Sequence, residues 1–232
     1  MQKECESFHI THFAAELKRL SKLIFGLTDA QMHDQDLKEA PLGRPVEMDS
    51  FVPYMQSRTG LSIQPCGKIA KTPREVLQFF GTEYVRRARD SYWVDCVLRE
   101  VHEKVDFVLV PDTRYLNEME ALRRIGGKVI KVQRLGLPEG TDGHTSETEM
   151  AKINPDLFLA TVTDNFALQT KVAKLISEGR FEEAKKYDYR SIEPALKAFK
   201  EGDSSFDFAD YVNLELVEAE EVLNYYLKPP TR

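Results

Sequence analysis

Four short apolar segments recur along the chain with helical patterns between them, and this alternation narrows the accessible folds more than any other feature. The segments are Phe8–Phe13, Val105–Val110, Val129–Val132 and Leu157–Val162. FVLV and VIKV, in the second and third, are near-continuous apolar runs, which predicts strands covered on both faces. The intervening patterns have helical spacing. Ala15–Phe25 places Leu17, Leu20 and Ile24 on one face, and Gly26 stands where a helix-ending residue belongs. Thr72–Ala88 opens on Thr-Pro, a good cap and first-turn pair. Ser91–Lys104, Asn117–Ile125 and Asn165–Ser177 come next, the second of these ending at Gly126-Gly127. Strands alternating with helices predict an α/β fold built on a mainly parallel sheet.

Two stretches depart from this rhythm. Residues 39–72 hold Pro41, Pro45, Pro53 and Pro65 with Gly43, Gly60 and Gly67. Weak periodicity and these breakers predict a long irregular insertion, of the kind that covers substrates. Beyond Ser177 the chain turns polar and helical, in Arg180–Lys186, Ile192–Lys200 and Leu214–Leu227, with a turn-like Gly202-Asp203-Ser204-Ser205 between the last two. The expected division is a core over 1–178 and an acidic helical appendage over 179–232.

Composition excludes several function classes. Of the 232 residues 42% are hydrophobic, enough for a sizeable core and against wholesale disorder. The net charge is −6, from 32 basic and 38 acidic residues. Residues 1–200 balance, while residues 201–232 carry two basic and eight acidic side chains. No net basic face points to DNA or RNA. No apolar run approaches the roughly 18 residues of a membrane span. The first residues, Met-Gln-Lys-Glu-Cys-Glu, have no apolar core of a secretory signal. Cys5, Cys66 and Cys96 stand singly, which reads as reduced thiols in a cytoplasm rather than disulfides or a zinc site.

Three segments carry residues suited to phosphate chemistry. In VLVPDTR, residues 108–114, an apolar strand ends in Asp112 and Arg114. Ligands of open α/β sheets bind at the carboxyl ends of strands. A carboxylate there can hold Mg²⁺ or its water, and an arginine can fork onto phosphate. The plainer alternative is an aspartate capping the next helix and an arginine paired with Glu118. In GTEYVRRARDSYW, residues 81–93, Arg86, Arg87 and Arg89 crowd one helical turn. Guanidinium suits phosphate, although a solvated basic turn at a helix end is the usual structural role. Trp93 is read as core packing ahead of base stacking. In RLGLPEGTDGHTSE, residues 134–147, Arg134 leads into a Gly-rich loop bearing His144 and Glu147, suited either to closing over phosphates or to starting a helix. His9, His12 and His144 lack metal-ligand spacing. No nucleophile motif is present.

Together these segments resemble the bacteriophage deoxynucleoside monophosphate kinases. The similarity runs in order over residues 8–178. It comprises FAAELKRLSKLIFGLT followed by LKE, GTEYVRRARDSYWV, VLVPDTRYLNEMEALRRIGGKVIKVQR, HTSE and VTDN. The resemblance implies a P-loop kinase fold like adenylate kinase. It also implies ATP and Mg²⁺ as cofactors, and transfer of the γ-phosphate to a deoxynucleoside monophosphate. Carried over position by position, Lys18, Arg86, Asp112 and Arg114 match acceptor-binding residues. Arg86, Arg114 and Arg134 would stabilise charge in the transfer, and Asp112 would face the metal. Arg134, His144 and Asn165 fall on the ATP side, with Glu147 in the His-x-x-Glu position.

The family opens with a strand and G-x-x-x-x-G-K-S/T, whose backbone N–H groups cradle phosphate. Gly67-Lys68 and Gly127-Lys128 do not fit, because Ser62 and Leu122 stand at the first glycine position and Ile69 and Val129 come after the lysines. The expectation is a chain that starts after that unit, about 25–30 residues in. A partner polypeptide supplying the P-loop would complete such a site, and a homodimer is the other expected assembly. The alternative function is a non-catalytic, nucleotide-binding or regulatory relative that keeps only the acceptor site. A phage-encoded protein would act in the host cytoplasm.

Overall fold

The computed structural model describes residues 8–101, 107–135, 149–150, 152–161 and 167–227. It is a mixed α/β structure with short parallel strand pairs flanked by helices. The described residues divide into two compact units, one within 8–118 and the other within 119–227.

In the first unit β1 (Phe8–Ile10) pairs in parallel with β4 (Phe107–Leu109), in the register Phe8 to Phe107. Between them come α1 (Phe13–Phe25), α2 (Asp29–His33) and α3 (Gln35–Glu39). Next are β2 (Val46–Glu47), a 3₁₀ turn (Met48–Phe51), α4 (Val52–Thr59) and β3 (Ile69–Ala70), with β2 and β3 antiparallel. α5 (Pro73–Gln78), a π-helix (Phe79–Arg86) and α6 (Tyr92–Val101) complete the span before β4. Gly26 takes φ +71° and returns its N–H to the Lys22 carbonyl, so α1 ends at the glycine expected to stop it.

The 39–72 stretch therefore contains ordered elements. Asp49 fixes its ends to the unit. Its carboxylate accepts the Cys66 and Gly67 N–H groups at 2.9 Å and the Tyr84 hydroxyl at 2.6 Å. The core gathers Leu20, Ile24, Met32, Met48, Met55, Val76, Phe80 and Trp93. Trp93 is buried and its indole N–H donates to the Gly81 carbonyl at 3.1 Å, which settles its role as packing.

The second unit starts within α7 (Leu116–Arg124). That helix closes as a Schellman turn: Gly127 N–H reaches the Leu122 carbonyl and Gly126 N–H the Arg123 carbonyl, with Gly126 at φ +87°. β5 (Ile130–Arg134) pairs in parallel with β6 (Leu157–Thr161). α8 (Ala167–Ser177), α9 (Phe181–Ala184) and a 3₁₀ turn (Lys185–Tyr187) come next. α10 (Tyr189–Glu201), α11 (Ser205–Val212) and α12 (Leu216–Leu227) end the described chain.

Three expectations change. The described strands form three separate two-stranded sheets, of which two are parallel, rather than one continuous sheet. FVLV and VIKV are not covered on both faces, because Leu109 is 41% and Val132 60% exposed; the strand that is nearly all buried is β6. The Gly202–Ser205 turn is also the start of a helix. Ser204 and Asp207 cap α11 reciprocally, so polar residues that look like a linker are a helix start.

The acidic C-terminal stretch folds back on its own unit. Phe208, Val222, Tyr225 and Tyr226 share one core with Leu157, Leu159, Val172 and Ile192. The Tyr226 hydroxyl donates to the Ala160 carbonyl at 3.2 Å. The side chains of Phe206 and Tyr211 lie outside the described set.

Asp188 ties β6 to α10. Its buried carboxylate accepts N–H groups from Phe158 and Arg190 and pairs with the Arg190 guanidinium at 2.5 Å. Burial pushes its pKa up, but the Arg190 hydrogen bonds and charge outweigh that and hold it below 3.8. A depressed carboxylate stabilises the fold above its unfolded pKa and loses that contribution as pH falls through the folded value. Asp188→Ala is therefore expected to lower stability by about 1–3 kcal/mol at neutral pH. The gap to wild type should shrink as pH falls below 3.8, read by urea unfolding; a gap constant with pH would contradict the ionised cap.

Candidate functional site

The candidate residues of the first unit cluster where β4 ends and α7 begins. Asp112 does not cap the next helix along the chain. Its two oxygens accept the Phe13 and Ala14 N–H groups at 2.9 Å, so it caps α1, whose own cap residue His12 makes no side-chain bond. The strand end is thereby fastened to the first helix across about a hundred residues of chain. His12 Nδ1 lies 4.0 Å from the same carboxylate.

α7 is capped instead by Glu118. One of its oxygens accepts the Arg114 and Tyr115 N–H groups at 2.8 and 3.1 Å. The other pairs with the guanidinium of Arg86. Arg86 also donates to Asn117 at 3.4 Å, lies 3.7 Å from Asp90, and stacks 3.7 Å over the Tyr115 ring. Asn117 in turn donates to the Asp90 carboxylate at 2.6 Å. Arg86 Nη and Glu118 Oε sit in side chains only 9% and 2% exposed. Burial pushes the Glu118 carboxyl above its ordinary range, against the pull of two N–H donors and Arg86.

Arg86 is the last residue of the π-helix. Such looser turns are frequent at functional sites. An extra residue in the ladder rotates the residues beyond it by about 100° relative to an uninterrupted α-helix. Of the three clustered arginines only Arg86 turns inward. Arg87 and Arg89 are exposed, and Arg89 pairs with Asp95 at 2.5 Å.

Lys18, on α1, is half-buried, and Arg114 is exposed. Both bear on Lys38 of α3, a residue that no chemical motif marks. Lys38 is half-buried, and burial lowers its pKa below 10.5. Lys18, Arg74 and Arg114 lower it further, while Glu39 opposes them. Arg74 of α5 pairs with Glu39 and so joins α5 to α3. The only sequence signal for Lys38 is its place in LKE, beside the proline- and glycine-rich stretch.

In the second unit Arg134 ends β5, opposite Thr161, and is exposed. His144, Glu147 and Asn165 lie outside the described residues. Among the described residues no group of three or more His, Cys, Asp or Glu side chains is placed to hold a metal ion. Asp112 alone suits Mg²⁺ only as the protein's share of a shell completed by phosphate oxygens and water, the usual mode for this ion. Each of its oxygens keeps a lone pair beyond the bond to α1. Among the described residues no helix is long and apolar enough to cross a membrane.

Residues 67–172 match the family model for deoxynucleotide monophosphate kinase. The central part of the chain is thus similar to these kinases. A putative deoxynucleotide monophosphate kinase of Acanthamoeba polyphaga mimivirus is 27% identical over 158 residues, 61% of this chain and 68% of that protein. The deoxynucleotide monophosphate kinase of Escherichia phage RB69 is 32% identical over 108 residues, 44% of each chain. That of Enterobacteria phage T4 is 31% identical over 107 residues, 44% of this chain and 43% of that protein. The aligned part thus spans less than half the length of the two phage relatives. The family match includes Arg74, Arg86, Asp112, Arg114 and Arg134, while Lys18 and Lys38 precede it.

The Arg86–Glu118 pair yields a sharp test. Breaking a buried pair from one side leaves an uncompensated charge and costs about 3–5 kcal/mol. Glu118→Leu alone is expected to cost that much in urea unfolding. Combining it with Arg86→Met should recover most of the loss in a double-mutant cycle. Strictly additive losses would show that the two side chains are not coupled.

Proposed function

We propose that this protein is a deoxynucleoside monophosphate kinase of P-loop kinase-like architecture, transferring the γ-phosphate of ATP to a deoxynucleoside monophosphate to give the diphosphate. The observation that carries this reading is that the family match covers the Arg86–Glu118 network and the strand-end Asp112-Thr113-Arg114.

The residues support a division of labour. Phosphoryl transfer asks the protein for positioning and charge stabilisation rather than covalent chemistry. Arg114 carries a planar fork at a strand end, where it serves the acceptor phosphate. Lys18 adds a cation to the same side. Arg86 holds the Arg114 segment in place through Glu118, because its own guanidinium is enclosed by Glu118, Asn117 and Tyr115. Asp112 fixes the strand end against α1 and offers its remaining lone pairs toward Mg²⁺. When bound, that ion would neutralise charge on the phosphates. Arg134, His144 and Asn165 are assigned to the ATP side on the strength of the resemblance.

The test is turnover of a deoxynucleoside monophosphate panel with ATP and Mg²⁺. Arg114→Ala is expected to lower kcat/KM by about 10²–10³-fold, and unchanged turnover would remove Arg114 from the machinery. Monophosphate binding without turnover by wild type would favour a binding-only relative. Neither binding nor turnover would overturn the kinase reading.

A further inference from the structure

We propose that Tyr84 and Asp49 are positioning residues for the candidate site: their hydrogen bond pins the π-helix in the register that turns Arg86 onto Glu118. What the site acts on rests on the kinase reading, while the coupling itself stands on the geometry of the first unit.

Runs of π-helix are rare, so Phe79–Arg86 needs contacts that hold it in that form. Four elements supply them. The Trp93 indole N–H of α6 donates to the Gly81 carbonyl at 3.1 Å. Gly81 has no side chain to keep α1 away, and a Cβ there would meet Leu17 at 3.2 Å. The Tyr84 hydroxyl donates to Asp49, in the 3₁₀ turn after β2, at 2.6 Å. Arg86 pairs with Glu118 of α7. Residues two apart do not share a helix face, so Tyr84 and Arg86 hold the π-helix from different sides.

The backbone ladder marks where the two registers part. Arg87 N–H reaches back to the Thr82 carbonyl, whereas Arg89 N–H takes the Val85 carbonyl at 2.8 Å, the α-helical spacing. Restoring that spacing through Arg86 would turn its side chain away from Glu118 by about 100°. Glu118 would then be buried without its cation, which is costly. The bonds of Tyr84 and Arg86 therefore favour the same register, and each strengthens the other.

Tyr84 is 1% exposed. A buried hydroxyl without a partner is destabilising, so its place there depends on Asp49. The Tyr84 hydroxyl and the Cys66 and Gly67 N–H groups hold the Asp49 carboxyl below its ordinary range, which makes these bonds charge-assisted. The same carboxylate closes the Cys66-Gly67 turn. The position of the 48–67 segment thus passes through Tyr84 to Arg86, and through Glu118 to the Arg114 N–H. That segment belongs to the proline- and glycine-rich stretch expected to cover substrates, and this contact gives it a route to the strand end.

Amide hydrogen exchange on the full chain, resolved by NMR, tests the coupling with Tyr84→Phe. The Arg114 and Tyr115 N–H groups, which Glu118 holds, are expected to exchange about tenfold faster, as for loss of one charge-assisted hydrogen bond. Cys66 and Gly67, still bonded to Asp49, and Gly26, at the end of α1, should exchange as in wild type. Asp49→Ala should speed exchange at Arg114 and Tyr115 too, together with Cys66 and Gly67. In an Arg86→Met background, Tyr84→Phe should have no further effect at Arg114 and Tyr115. Unchanged exchange at these two amides in Tyr84→Phe would overturn the coupling. Equal acceleration at Gly26 would also overturn it, because that marks a general loss of stability. Turnover of a deoxynucleoside monophosphate with ATP reads the kinase claim separately. Coupled exchange in a chain without turnover keeps the coupling and removes the kinase reading; uncoupled exchange in an active chain does the reverse.

Discussion

The buried pairing of Arg86 with Glu118 is the interaction on which the candidate site depends. It joins the end of a π-helix to the first turn of α7. Glu118 divides its two oxygens between the guanidinium and the backbone N–H groups of Arg114 and Tyr115. The conformation of the strand-end loop is thus set by an arginine about thirty residues upstream. A buried charge pair is weak evidence for stability by itself, since desolvation offsets its attraction. Its effect is to specify one arrangement, because either charge without the other would be expensive to bury.

A second device of the same kind works on the other side of β4. Asp112 leaves the strand and caps α1, a helix whose own cap residue is a histidine. Two polar side chains on one short segment, Asp112 and Glu118, thereby cap two helices far apart in sequence. Arg114 lies between them, held through its backbone N–H by Glu118. A position that presents a side chain to a ligand is best located by bonds to its backbone and by the residues around it, since these fix where the side chain starts. The segment is organised in that way.

The functional reading gains from this arrangement more than from any single residue. The sequence pattern marks Arg86 as a phosphate contact, and the structure gives it an enclosed position with protein partners on each side. Lys38, half-buried on α3, is held below its ordinary pKa by burial and by the charges of Lys18, Arg74 and Arg114. Electrostatic stabilisation in a partly desolvated place is stronger than at an open surface.

Much of the local structure was legible from the chain. The stop at Gly26, the Thr72-Pro73 start, the Gly126-Gly127 turn and the parallel strand pairs arise from backbone preferences and apolar periodicity, which are properties of neighbouring residues. The chain marks the tail as an acidic helical appendage, while its return to the core, with Phe208, Tyr225 and Tyr226 buried, is a result of the tertiary structure. The exposure of Leu109 and Val132 was not, because an apolar run reports what a strand would accept and not what lies against it. Nor was the choice among three arginines, since burial of Arg86 depends on Glu118 arriving from a different element. The same holds for Asp112 reaching back to α1. The sequence by itself determined which segments are helix or strand and which side chains are available. Only the tertiary structure decided which charges neutralise one another and which remain for a ligand, because electrostatic pairing acts through space between residues that the chain keeps far apart.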